Sequence, residues 1–157
     1  MKSYCTDIKK DLPVIILMSH GPLAEALWKS AVLIAGAIDN IAYLCLEEGD
    51  NPQEFIKEVK RILDAIPCKK LVMVDLLGGT PCNSFAFVVN NLKTGANAVS
   101  GMNLPMLLEI ISCRKDMNDV ELADAAEMSG KESICNVNEK LLGKKYGGEK
   151  NDCINQD

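Results

Sequence analysis

Short apolar runs alternate with longer helical patterns along this chain. The apolar runs span residues 13–18, 41–46, 71–74 and 96–100. The first is short, rich in branched aliphatic residues and apolar on both faces, as is typical of a central strand in a parallel sheet. The next two repeat the pattern, and residues 96–100 predict a short fourth strand. The helical patterns begin near Pro22, Pro52, Pro81, Pro105 and Asn118. This alternation predicts an α/β fold with a mainly parallel central sheet and helices on both faces.

The chain length suits one domain with polar ends. It has 157 residues, and domains cluster at roughly 100–150 residues. Residues 1–12 are charged and carry no apolar pattern, so we interpret them as a loose leader. The patterned part is residues 13–138, and residues 139–157 form a polar tail that we expect to be disordered.

Charge and cysteine content exclude several classes of protein. The net charge is -5 and no stretch is strongly basic, which argues against nucleic-acid and anionic-membrane partners. The seven cysteines form no C-x-x-C pair, and no secretory signal precedes the domain. We therefore expect reduced thiols and a cytoplasmic location. With a single histidine, the chain offers no clustered ligands for zinc, so we expect no metal site.

His20 is the first candidate for chemistry. It follows the first apolar run and precedes Gly21 and a predicted helix. An imidazole there can act as a nucleophile, a base or a ligand, and the unpaired N–H groups of a helix start attract anions such as phosphate. Gly21 leaves the approach to the ring open. The alternative is a lone histidine that is satisfied within a turn.

A second group of candidates follows the third apolar run. Asp75 ends that run, and a carboxylate at a neighbouring strand end can fix the tautomer of His20. Gly78 and Gly79 permit close backbone approach, and with the Thr80 hydroxyl they predict an anion-binding nest at a helix start. The alternatives are a capping aspartate and an ordinary strand-to-helix turn. No Gly-Lys-Ser/Thr follows, so this is not a P-loop.

Three motifs together carry a family resemblance. Residues 15–21 read IILMSHG, residues 75–83 read DLLGGTPCN, and residues 101–109 read GMNLPMLLE. In this order and spacing they resemble the enzyme IIA domain of the mannose/fructose/sorbose family of bacterial sugar phosphotransferase systems. The resemblance covers roughly residues 13–138.

The resemblance implies a phosphocarrier that needs no cofactor. It implies that His20 accepts a phosphoryl group on Nε2 from the carrier protein HPr and passes it to a IIB component. The membrane components IIC and IID take part only indirectly. Asp75 matches the residue that holds the ring, and Thr80 matches a hydroxyl that helps to bind the phosphoryl group. The family fold further implies a homodimer that exchanges an antiparallel edge strand, here at residues 132–137.

Some features depart from the family, and other functions stay open. Positions 77 and 82, often aromatic in the family, are Leu77 and Cys82, and both are expected to line the approach to the site. One alternative is the phosphocarrier subunit of a dihydroxyacetone kinase, against which Gly21 argues because a small polar residue tends to follow the histidine there. A regulatory module that is phosphorylated, and an anion-binding domain without turnover, are two further alternatives. The transported sugar cannot be read from these residues.

Overall fold

Five strands form one sheet in the computed structural model, which describes residues 1–143. The strands are β1 Lys2–Cys5, β2 Val14–His20, β3 Ile41–Leu46, β4 Lys70–Val74 and β5 Asn97–Ser100. The helices are α1 Leu23–Ala35, α2 Pro52–Ala65, α3 Thr80–Val88, α4 Leu104–Cys113, α5 Asp119–Glu132 and α6 Val137–Leu142. The sheet order is β1-β3-β2-β4-β5, and only the β1–β3 pair is antiparallel. The predicted α/β fold with a mainly parallel sheet is confirmed.

Both faces of the sheet are buried under helices. Side chains alternate along β2, so Ile15 and Leu17 join a core with α1, α4 and α5, whereas Ile16 and Met18 join a core with α2 and α3. This two-sided burial explains why β2, β3 and β4 are apolar without a polar alternation. Within residues 1–143, no helix combines the length and the apolar character needed to cross a bilayer.

Asparagine side chains cap four of the described helices, with Asn136 at the start of α6 and three others at starts that the sequence predicted. Asn51 accepts a hydrogen bond from the backbone of Gln53, and Asn103 accepts one from Met106, so each caps the helix that follows it. Asn118 forms a complete capping box at the start of α5. Each cap satisfies N–H groups that would otherwise lack a partner. The helix starts expected from the sequence at these three places are confirmed.

The structure corrects the interpretation of residues 1–12 as a loose leader. Lys2–Cys5 is the edge strand β1, which pairs with β3. Asn40 holds the rest of this segment: its side chain accepts from the Lys9 backbone at 2.7 Å and donates to the Lys9 and Leu12 carbonyls at 2.7 and 2.5 Å. The leader is therefore part of the folded domain. Short polar strands of this kind lack the apolar run by which the other strands were predicted.

The expected antiparallel strand at residues 132–137 is also corrected. Helix α5 extends to Glu132, and Val137 begins helix α6. The sheet does have an antiparallel edge strand, but it is β1 at the other end of the chain. Residues 139–142 of the predicted polar tail belong to α6, and residues 144–157 lie outside the described part of the chain.

Candidate functional site

The sheet register brings two strand ends together. Strands β2 and β4 are parallel neighbours, and Met18 pairs with Val74. The Asp75 backbone N–H donates to the Met18 carbonyl at 3.2 Å, so Asp75 lies beside the end of β2. The structure thus places His20 and Asp75 in one crevice at the carboxyl edge of the sheet, as the sequence predicted.

The Asp75 carboxylate holds both the backbone and the ring of His20. Its Oδ2 accepts from the His20 backbone N–H at 2.8 Å and lies 3.0 Å from Nδ1 of the ring. Its Oδ1 accepts from the Leu76 N–H at 2.8 Å. The His20 side chain is 43% exposed and that of Asp75 is 13% exposed. With the ring proton on Nδ1, the lone pair of Nε2 is available for reaction.

A tight turn joins His20 to helix α1. Gly21 has φ 55°, a backbone conformation that favours glycine, and its N–H donates to the Leu46 carbonyl at 2.7 Å. The Ser19 hydroxyl donates to the Gly21 carbonyl at 3.0 Å and accepts from the Ala24 N–H at 2.8 Å. Ser19 is not among the site residues predicted from the sequence. The sequence indicates it only by a polar residue at the end of an apolar run. In the structure that residue is fully buried.

Gly79 lies directly against the side of the His20 ring that carries Cε1 and Nε2. A Cβ atom built on Gly79 would lie 2.5 Å from Cε1 and 3.3 Å from Nε2 of His20. Gly79 is the N-cap of α3, and Thr80 is the first residue of that helix. Nε2 therefore faces a helix N-terminus, where first-turn N–H groups lack intrahelical partners and favour anions.

The preceding glycine shapes this turn. Gly78 has φ 77°, and its carbonyl accepts from the Asn83 side chain at 2.8 Å. The structure thus brings Gly21, Gly78, Gly79 and Thr80 to the segments that flank the ring. Asn83 fixes the turn from within α3 and was missed, because an asparagine in a helical pattern carries no distinctive signal.

The family comparison agrees with this geometry. The family model for EIIA-man, described as "PTS system fructose IIA component", matches residues 14–127, which is more than half of the chain. The chain belongs to the EIIA-man family. Its match begins at the start of β2, so β1 lies outside the matched range.

Several relatives of this EIIA-man domain carry names of the same kind. The PTS system fructose-specific EIIA component of Bacillus subtilis is 29% identical over 130 residues, covering 81% of this chain and 88% of that protein. The mannose-specific EIIAB component of Escherichia coli K12 is 30% identical over 123 residues. That match covers 76% of this chain but 38% of the relative, so the chain corresponds to well under half of that protein's length.

A crystal structure supports the fold assignment directly. The phosphotransferase system component EIIA from Streptococcus agalactiae is 28% identical to this chain and superposes with a TM-score of 0.74. The superposition covers 80% of this chain and 97% of the other.

Exposed leucines adjoin the candidate site of this EIIA-man domain. Leu76 and Leu77, in the turn after Asp75, are largely exposed, and the Leu77 residue is 77% exposed. Leu77 and Cys82 line an open cavity of about 520 Å³ between β5 and α5. Asn103, at the same cavity, serves mainly as a helix cap and also donates to the Gly130 carbonyl at 3.1 Å. Within residues 1–143, no cluster of three or more His, Cys, Asp or Glu side chains could hold a metal ion.

Proposed function

We propose that this chain is the IIA phosphocarrier of a sugar phosphotransferase system, with His20 as the phosphoryl acceptor. One observation carries the proposal: the 3.0 Å contact between His20 Nδ1 and Asp75 Oδ2 leaves Nε2 free beside the N-terminus of α3. Membership of the EIIA-man family supports the same role.

The proposed reaction moves a phosphoryl group between two histidines. The Nε2 lone pair of His20 attacks phosphorus on a phosphohistidine of HPr. The donor P–N bond breaks, and its electron pair returns to the donor ring. His20 becomes a positively charged phosphoimidazolium whose Nδ1 proton stays hydrogen-bonded to Asp75, and the carboxylate stabilises that charge. In the transfer to IIB, the phosphoryl group leaves Nε2 of His20 for a histidine of IIB. The electron pair of the broken P–N bond returns to the His20 ring.

The turn before α3 is suited to hold the transferred group. Phosphoryl transfer depends mainly on positioning and on stabilisation of the equatorial oxygens. Gly79 presents no side chain to the ring, so the phosphoryl group on Nε2 has room beside the helix start. The first-turn N–H groups of α3 and the Thr80 hydroxyl are the donors that we assign to these oxygens.

The proposed partners follow from this role. HPr is the donor and a IIB component the acceptor, while IIC and IID are reached only through IIB. We also propose a cytoplasmic location and a homodimer. Sedimentation of the purified chain tests the dimer: a monomer at every concentration would count against it.

The decisive experiment measures phosphoryl uptake. The chain is incubated with phosphoenolpyruvate, enzyme I and HPr, and intact mass and peptide mapping follow. We expect one acid-labile phosphoryl group on His20, which is discharged when IIB is added. The control is His20→Gln, which removes the nucleophile at a largely exposed position. Uptake by His20→Gln, or no uptake by the natural chain with HPr from the same source, would overturn the proposal.

A further inference from the structure

Strand β1 reaches the edge of the sheet that carries His20. It runs antiparallel to β3, with Lys2 opposite Cys45, whereas His20 of β2 pairs with Leu46 on the other side of β3. Lys2 therefore lies within about one residue of the level of His20, one strand removed. The family match begins only at residue 14, so this strand is an addition to the matched domain.

One connection from β1 to the site runs through β3. The Leu46 carbonyl, at the end of β3, accepts the Gly21 N–H at 2.7 Å. Because β1 pairs with β3 up to Cys45, it fixes the strand end that receives this bond. The Gly21 turn is thus anchored on a strand that β1 covers on its outer side.

A second connection runs through helix α1. The Lys2 ammonium donates to both carboxylate oxygens of Glu25, each at 2.7 Å. Glu25 lies in the first turn of α1, and its side chain is only 12% exposed. The hydrogen bond from Lys2 is the main reason that the pKa of Glu25 is lowered, and Lys29 adds to the effect. The neighbouring Ala24 N–H donates to Ser19 in the turn that carries His20.

Aromatic packing holds β1 against the same helix and strand. The Tyr4 ring lies 4.8 Å from that of Trp28 on α1 and 5.5 Å from that of Tyr43 on β3, between ring centroids. These distances fall within the range of favourable aromatic pairs. The strand therefore contacts α1, which follows the His20 turn, and β3, whose last residue accepts the Gly21 N–H.

We propose that β1 is a positioning strand for phosphoryl transfer, with Lys2 as its positioning residue, an inference that rests on the proposed function. By holding Glu25 and the end of β3, it restricts the turn at residues 19–24 to the geometry that presents the His20 ring for in-line attack. Transfer between two histidines is sensitive to such placement, because displacements of about 1 Å can slow a reaction by up to about 10²-fold.

The test compares the two lysines that bind one carboxylate. Lys2→Ala removes the link to β1, whereas Lys29→Ala removes the same charge from the same Glu25 but leaves β1 attached. We expect Lys2→Ala to lower the rate of His20 phosphorylation at saturating phospho-HPr by about fivefold, with half-saturation unchanged. Lys2→Arg should restore the rate, and Lys29→Ala should leave it unaltered.

Amide hydrogen exchange gives a readout that does not depend on activity. In Lys2→Ala, the Gly21 and Ala24 amides, which bond to Leu46 and Ser19, should exchange severalfold faster than in the natural chain. Natural exchange rates at both amides, or equal losses of transfer in Lys2→Ala and Lys29→Ala, would overturn the inference. If the natural chain took up no phosphoryl group, the proposed function would fail, while the exchange data would still report whether β1 holds the turn.

Discussion

Polar side chains have different surroundings at the two ends of the parallel sheet. At the carboxyl end, the His20 ring is 43% exposed and only one of its nitrogens is held, by Asp75. At the amino end, Arg114, Lys70 and Asn40 are buried and bonded to backbone or hydroxyl oxygens. One end exposes an imidazole that is held through Nδ1, and the other uses its polar groups to hold loops together.

Arg114 shows how the amino end works. The residue is 4% exposed, and its guanidinium donates to the carbonyls of Pro13 at 3.1 Å, Asn40 at 3.0 Å and Asp39 at 2.7 Å. Burial lowers the pKa of this guanidinium. One side chain after α4 thus fixes the loops that enter β2 and β3.

Lys70 plays a similar part at the start of β4. Its side chain is buried, and the ammonium donates to the Thr94 hydroxyl and to the Gly95 carbonyl, the latter at 3.4 Å. Burial lowers the pKa of Lys70. Such groups cost free energy to bury and are stabilised only while their acceptors remain in place. Changes at the amino end should therefore act on stability, and changes at the carboxyl end on phosphoryl transfer.

The largest effect on transfer, short of removing the nucleophile, is expected for Asp75→Asn. The amide nitrogen or oxygen cannot hold the Nδ1 proton as a carboxylate does, and it leaves the phosphoimidazolium charge without a counterion. By analogy with the aspartate of a catalytic triad, transfer should slow by about 10²- to 10⁴-fold. Rapid-quench kinetics with phospho-HPr measures the rate, and thermal unfolding checks that the fold is retained. Unchanged kinetics would remove the assigned role from Asp75.

The opposite end is tested by Arg114→Met. This variant removes the Arg114 donors from the carbonyls of Pro13, Asp39 and Asn40, of which Asn40 keeps the Ile15 N–H, so the free energy of unfolding should fall by about 3 kcal/mol. Transfer per folded molecule should be unchanged, because Arg114 lies at the far end of the sheet. Urea denaturation gives the stability, and Lys115→Met, at the exposed neighbouring position, is the control for the lost charge. A large loss of phosphoryl transfer in folded Arg114→Met would contradict the prediction that the amino end of the sheet affects stability alone.

Sequence patterns predicted the carboxyl end of the sheet well. The apolar runs located β2 and β4, and their ends placed His20 and Asp75 in one crevice because parallel strands share an edge. The two side chains lie within hydrogen-bonding distance, with 3.0 Å between Nδ1 of His20 and Oδ2 of Asp75, as expected for residues at neighbouring strand ends. The glycine pair before Thr80 predicted close backbone approach to a bound anion, whereas the close neighbour of Gly79 in the structure is the His20 ring itself.

The parts that the sequence did not reveal depend on long-range contacts. Strand β1 is short and polar, and it becomes a strand because β3 offers a free edge. Arg114 lies 101 positions from Pro13 along the chain, and no local pattern predicts their contact. The expectation for residues 132–137 came from the family, whereas in this chain α5 continues to Glu132.

Two glycines are predicted to have smaller effects than Asp75 and Arg114. Gly79→Ala keeps an allowed backbone, φ -70°, but its Cβ would lie 2.5 Å from Cε1 of His20 and would push the ring away from Asp75. We expect transfer to slow by about 10-fold, and stability to change little. Gly36→Ala has open space around it but φ 81° and ψ -155°, a backbone conformation that is essentially restricted to glycine, so it should cost about 2 kcal/mol of stability and leave transfer unaltered.

Measuring both variants by rapid-quench kinetics and thermal unfolding sharpens the comparison, since each glycine is expected to change only one of the two quantities. Natural transfer rates in Gly79→Ala would mean that the ring does not face the α3 N-terminus. Because the backbone conformation at residue 79 suits alanine, a slower transfer there points to contact with the ring, and so to the position of Nε2 beside the anion-binding turn.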